Sequence, residues 1–122
     1  MERAGDEDLY DLYQRGMSLL EAGDFEQATV PLSRAARRAP DKSSIREALG
    51  RAYFRSRRYR EAAVEFEAVV ERYPVNDYAH FCLGRALTLT GQRQRARRHL
   101  AIAACLRPDR RDYRSYREQL AR

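Results

Sequence analysis

Apolar residues along this chain recur at spacings of three and four, not two. Leu9, Leu12, Leu19 and Leu20 mark the first such stretch, the period of a helix that buries one face. The spacing predicts a helix over 9–22, ended by Gly23. A second runs from a capping box at Asp24 and Gln27 to about Ala39, with Pro31 inside it removing one backbone bond and bending the rod. Pro40 stops it. Ser44 and Glu47 offer another capping box for a third helix, which reaches about Arg55. Arg57 and Arg58 form a turn, and a fourth helix spans Tyr59–Arg72. Asn76 and Asp77 open a fifth, Gly91 closes it, and a sixth covers about Gln92–Arg107. After Pro108, Asp109 stands where it can cap a seventh, whose Tyr113, Tyr116 and Leu120 share one face.

The helices carry a longer period. Pro40, Pro74 and Pro108 follow one another at a 34-residue step. Gly16, Gly50 and Gly84 keep the same step, as do Ala28, Ala62 and Ala96. Larger residues align too: Leu19, Tyr53 and Leu87; Leu32, Phe66 and Leu100; Ala35, Val69 and Ala103. Small residues belong where two helices cross closely, large apolar ones where they interlock. A fixed period of this length belongs to a helix–turn–helix unit that stacks into a solenoid. The register predicts burial of Leu49, Tyr53, Phe66, Leu83, Leu87 and Leu100.

These residues resemble the tetratricopeptide repeat over about residues 9–110. Leu49-Gly50, Tyr53, Ala62, Phe66 and Pro74 return as Leu83-Gly84, Leu87, Ala96, Leu100 and Pro108. The early apolar position of the first helix is Leu12, then Arg46 and His80, and Arg15 stands where Leu49 and Leu83 follow. The first unit thus departs from the other two. The resemblance implies an all-α, right-handed superhelical solenoid of three antiparallel helix pairs with a C-terminal capping helix. The repeats then occupy 9–108, in units of 9–42, 43–76 and 77–110, with an acidic tail at 1–8 and the cap at 109–122.

The resemblance also implies where a ligand would lie, because the first helix of each pair lines the inner groove. Inward residues would be Tyr13 and Met17, then Arg51 and Arg55, then Tyr78, Phe81 and Arg85. Tyrosine and arginine bring large contact area and a fixed donor fork. The expected ligand is a peptide or helix of a partner protein with acidic and apolar side chains. Chaperone-binding members of the family grip a terminal carboxylate with charged and amide side chains. At the matching places this chain has Tyr13, Met17, Ala48, Tyr78 and Cys82, so that clamp is not expected.

Charge adds a gradient. The chain holds 24 basic and 18 acidic residues, a net charge of +6. Residues 1–33 hold eight acids against Arg3 and Arg15, and all the positive excess lies beyond them. In a linear solenoid this becomes one acidic end and one basic end. Three readings follow: head-to-tail self-association, capture of RNA or another polyanion at the Arg-rich end around Arg93–Arg98, or a polarity that only aids solubility. Aromatic residues are not interleaved with that arginine cluster, which weakens the RNA reading.

Catalytic chemistry finds little support. His80 and His99 are the only histidines, and no zinc spacing, phosphate loop or nucleophile grouping accompanies them. No enzyme activity, metal or cofactor is expected. Cys82 and Cys105 read as two buried, reduced thiols. No apolar run is long enough to span a bilayer, and the acidic start lacks the apolar core of a signal peptide. The expectation is a cytoplasmic, non-enzymatic interaction module.

Overall fold

A computed structural model of the chain describes residues 8–121. Residues 1–7 of the expected acidic tail lie outside the described residues. Seven helices occupy the described part: α1 (Leu9–Glu21), α2 (Phe25–Arg38), α3 (Ser43–Arg55), α4 (Tyr59–Arg72), α5 (Asp77–Leu89), α6 (Arg93–Leu106) and α7 (Arg111–Ala121). Successive helices pack on one another as three antiparallel pairs, and α7 covers the last pair. The helix starts keep the 34-residue step, and α7 begins where the first helix of a fourth unit would.

The turn inside each pair is the same object three times. Asp24 N donates to Leu19 O, Arg58 N to Tyr53 O and Gln92 N to Leu87 O, at 2.8, 2.8 and 2.9 Å. These bonds close a Schellman motif, which needs a left-handed residue just past the helix. Gly23, Arg57 and Gly91 supply it, with φ of 83°, 63° and 82°. Glycine adopts that region freely, whereas Arg57 has a Cβ that crowds the following carbonyl.

This geometry explains two capping expectations that fail. Asp24 makes no side-chain cap bond and sits at φ −89°, ψ 65°, because its amide already ends α1 and the short link leaves it outside the extended N-cap region. Ser44 lies inside the first turn of α3, whose N-cap is Lys42. Asn76 does cap α5, accepting from Ala79 N at 3.0 Å. Asp109 does not cap α7; it pairs with Arg107 at 2.8 Å. The helix α2 continues through the buried Pro31.

Close approach within each pair depends on the glycine column. A Cβ on Gly50 would meet the Phe66 ring at 2.8 Å, and one on Gly84 would meet Leu100 at 2.6 Å. Gly16 faces Leu32 in the same way. The alanines at 28, 62 and 96 are fully buried beside them. Of the six expected core residues, Leu49, Phe66, Leu83, Leu87 and Leu100 are buried, and Tyr53 is only half-buried. Tyr53 packs against two apolar clusters, one built from α1–α3 and one from α4–α7.

Both edges of the stack are polar. On α7, Tyr113 and Leu120 are buried, whereas Arg117 and Glu118, at the leucine and glycine columns, are exposed. Tyr113 Oη donates to Asp77 Oδ2 at 2.7 Å. On α1, Asp11, Gln14 and Ser18 hold the columns that become Ile45, Ala48 and Ala52, and all three are exposed. Among the described residues, neither edge offers an apolar face for another helix pair at these columns.

Leu83→Ala should cost about 2–5 kcal/mol in urea unfolding, because it empties a fully enclosed site. Arg57→Gly should add about 0.5–1 kcal/mol to stability by relieving the left-handed backbone. An unchanged unfolding midpoint in the glycine variant would contradict that account of the turn.

Candidate functional site

The inner ends of α1, α3 and α5 enclose a groove of about 860 Å³. Its lining brings together Arg51, Arg55, Tyr78 and Arg85, four of the residues singled out from the sequence, with Cys82, Phe25 and Phe54. Arg51, Phe54 and Arg55 share a face of α3 by their spacing, as Tyr78, Cys82 and Arg85 do on α5.

The other three stand elsewhere. Phe81 is 5% exposed and belongs to the core. Its ring lies 4.6 Å from that of Tyr113 and 5.3 Å from that of Tyr116, so α7 covers it. The expectation that Phe81 contacts a ligand is therefore corrected. One repeat back, Glu47 stands in the column of Phe81, and Ala79 and Cys82 stand in those of the covering tyrosines. Tyr13 and Met17 are half-buried against the first apolar cluster and do not line the groove. From α1 the groove draws Leu20 and Glu21 instead.

Phe25 and Phe54 are groove-lining residues that sequence reasoning missed. The Arg55 guanidinium lies 4.3 Å from the centre of the Phe25 ring. That of Arg85 lies 4.9 Å from Phe54 and 4.8 Å from Tyr116. Such stacking holds a cation by the ring quadrupole and leaves the N–H edges of the guanidinium free to donate. Among the described residues, none of Arg51, Arg55 and Arg85 has a carboxylate within 4 Å. The signal for Phe54 was its place one turn beyond Arg51; Phe25 gave none, since it opens a second helix.

On the floor between these arginines, the Tyr78 phenol and the Cys82 thiol are uncharged near neutral pH. Burial pushes the Cys82 thiol up to about 11, with the Tyr78 hydrogen bond opposing. Burial and Cys82 likewise raise the Tyr78 phenol above its ordinary value. Burial raises the Glu47 carboxyl, against a 3.4 Å hydrogen bond donated by Asn76 Nδ2 and the charge of Arg51. A thiol held this high is a poor nucleophile near neutral pH. The groove is equipped to donate hydrogen bonds to oxyanions and to cover apolar side chains.

The Arg-rich end is largely occupied by the protein itself. Arg93 and Arg97 both donate to Leu120 O, at 3.1 and 3.3 Å, and so tie down the end of α7. Arg95 pairs with Glu67 at 2.8 Å, Arg107 with Asp109 and Arg110 with Asp112. His99 is buried. Of the cluster weighed as a polyanion site, Arg98 and Arg111 alone have neither an ion pair nor a side-chain hydrogen bond among the described residues. Among the described residues, no group of three or more potential metal ligands occurs, and no helix is long and apolar enough to cross a membrane.

Helix pairs of equal length, a constant step and an inner groove define a helical-repeat solenoid. The family model of the tetratricopeptide repeat matches residues 19–80, half of the chain, and the chain belongs to that family. Among solved structures, MamA from Desulfovibrio magneticus RS-1 is 24% identical with a TM-score of 0.88, over 93% of this chain and 64% of that one. MamA MSR-1 is 28% identical with a TM-score of 0.82, over 92% and 64%. The second TPR domain of human RPAP3, in complex with the HSP70 peptide SGPTIEEVD, is 16% identical with a TM-score of 0.86, over 94% and 99%. The chain thus spans less than two thirds of the MamA chains it matches. Comparison with curated proteins gives no match.

The two cysteines differ in setting: Cys82 is half-buried and Cys105 exposed, so only the first fits the expectation of buried thiols. Under iodoacetamide at about pH 7.5, Cys105 should be alkylated and Cys82 protected, as read by peptide mass spectrometry. Equal labelling of both would contradict the neutral floor.

Proposed function

We propose that the concave groove binds an extended or helical segment of a partner protein that carries acidic and apolar side chains. One observation carries this reading: Arg51, Arg55 and Arg85 line an open groove that also holds Phe25 and Phe54, two of them stack on those rings, and among the described residues none has a carboxylate within 4 Å. Guanidinium groups held this way donate to side-chain carboxylates without first leaving another partner. Phe25, Phe54 and the neutral Tyr78 and Cys82 then receive the apolar side chains between those carboxylates.

Peptide binding by a fold neighbour lends support, since the RPAP3 domain is seen with an HSP70 peptide. The mode differs. A terminal carboxylate meets no charged donor at Tyr13, Met17, Ala48, Tyr78 or Cys82, so recognition runs through internal acidic side chains. The module acts by binding, without catalysis or cofactor, and its free thiols fit the cytoplasm.

Synthetic peptides that alternate Glu with Leu or Phe, and matched peptides with Lys in place of Glu, test the proposal by fluorescence anisotropy. The acidic series should bind, more weakly as salt rises, and the lysine series should not. Arg51→Glu with Arg85→Glu should weaken binding at least about tenfold, about 1.4 kcal/mol, while helical circular dichroism is retained. Undiminished binding by that folded variant would sink the groove reading.

A further inference from the structure

Each helix pair has one further cross-contact position, and its chemistry changes from unit to unit. In the first pair the positions hold Leu12 and Pro31, both buried. One repeat on, Arg46 Nη1 meets Glu65 Oε1 at 2.9 Å, and Arg46 Nε donates to Pro40 O at 3.1 Å. One repeat further, His80 Nδ1 lies 3.0 Å from His99 Nδ1, and His80 Nε2 lies 2.8 Å from Pro74 O. The two imidazoles stack with centroids 5.2 Å apart, and both are more than nine-tenths buried.

The tautomers follow by elimination. A carbonyl only accepts, so His80 Nε2 carries the hydrogen. A neutral imidazole carries one, so His80 Nδ1 is bare and accepts from His99 Nδ1–H. His99 Nε2 is then bare as well, and it is buried with no hydrogen-bond partner. The contact therefore has room for no extra proton. One on His80 Nδ1 either sets two N–H groups against each other or drives the His99 hydrogen onto its buried Nε2, where no acceptor waits. One on His99 Nε2 would be a buried cation without an acceptor.

The surroundings sharpen this. The charges that act on His99 are His80 from α5 and Arg95 and Arg98 from its own helix, all of which oppose a proton, and none is a carboxylate. Glu67 of α4 is held by Arg95. Asp77 of α5 is held by Tyr113 of α7. Burial first, then those cations, bring His99 down from 6.5 to about 4. The unfolded chain then binds the proton that the fold refuses, so this contact's contribution is full above about pH 6.5 and falls as pH drops toward 4. In the second unit, Arg46–Glu65 carries its own compensating charges.

We propose that the His80–His99 contact is an acid-labile latch, which holds α5 against α6 while both imidazoles are neutral and loosens the third helix pair when a proton enters. Because α5 carries Tyr78, Cys82 and Arg85, the latch sets whether half of the groove is presented. This inference stands apart from what the groove binds.

The second unit supplies the control. His80→Arg with His99→Glu transplants the ion pair into the third unit. Urea midpoints of wild type and variant, measured from about pH 7.5 to about pH 4.5, should diverge, with wild type losing more on acidification. Imidazole ¹⁵N shifts of wild type should show hydrogen on His80 Nε2 and His99 Nδ1, and His99 titrating well below 6.5. Amide protection should fall in α5 and α6 before α1 and α2 as pH drops. Parallel midpoint curves, or His99 titrating near 6.5, would overturn the latch. If the variant does not fold, the wild-type titration decides by itself: a depressed His99 with early loss of α5–α6 protection sustains the proposal, and ordinary titration ends it.

Discussion

How closely the two helices of a pair approach governs everything else in this structure. The Phe66 ring lies where a Cβ on Gly50 would stand, and Leu100 does the same against Gly84. The missing side chain lets the large residue of the second helix reach the backbone of the first. That contact sets the spacing within a pair, and three equal spacings joined by three equal turns make a regular stack. The first helices of the pairs then share one side, and the groove exists because they do.

On that side, packing and recognition use the same groups. The rings of Phe25 and Phe54 help close the apolar interior and also present faces to Arg55 and Arg85. A lysine would not serve as well, since its compact ammonium offers no plane to stack. Other arginines behave differently: Arg93, Arg95 and Arg97 of α6 reach the end of α7 or the carboxylate of Glu67. Identical side chains thus divide into those that hold the fold and those left with free donors, according to which face of which helix bears them.

Regular backbone also exposes where chemistry varies. The left-handed turn position is Gly23, Arg57 and Gly91, with one backbone conformation for all three. The pair at 46 and 65 is an ion pair, and the pair at 80 and 99 is two imidazoles, yet both reach the carbonyl of the preceding proline. Repeats make such comparisons direct, because the geometry is held constant while the residue changes. The second unit meets a buried polar demand with opposite charges. The third meets it with a neutral hydrogen-bonded pair that has one lone pair to spare.

The 34-residue step, the glycine and alanine columns and the three prolines determined helix number, pairing and core from the sequence, because each reports a local or nearest-neighbour constraint that repeats. Arg51, Arg55, Tyr78 and Arg85 were legible for the same reason, as one face of consecutive first helices. The tertiary structure decided what periodicity does not encode. It placed Phe81 beneath Tyr113 and Tyr116, because the cap covers one unit and not the others. It brought Phe25, from the start of a second helix, into the groove. It denied Asp24 and Ser44 their capping roles, because turn length and helix start depend on the preceding helix. Above all, it turned two histidines 19 residues apart into a 3.0 Å contact. Neither their spacing nor their count announced it; only the equivalence with Arg46 and Glu65 across the repeat, visible once side chains are in place, gives that contact its meaning.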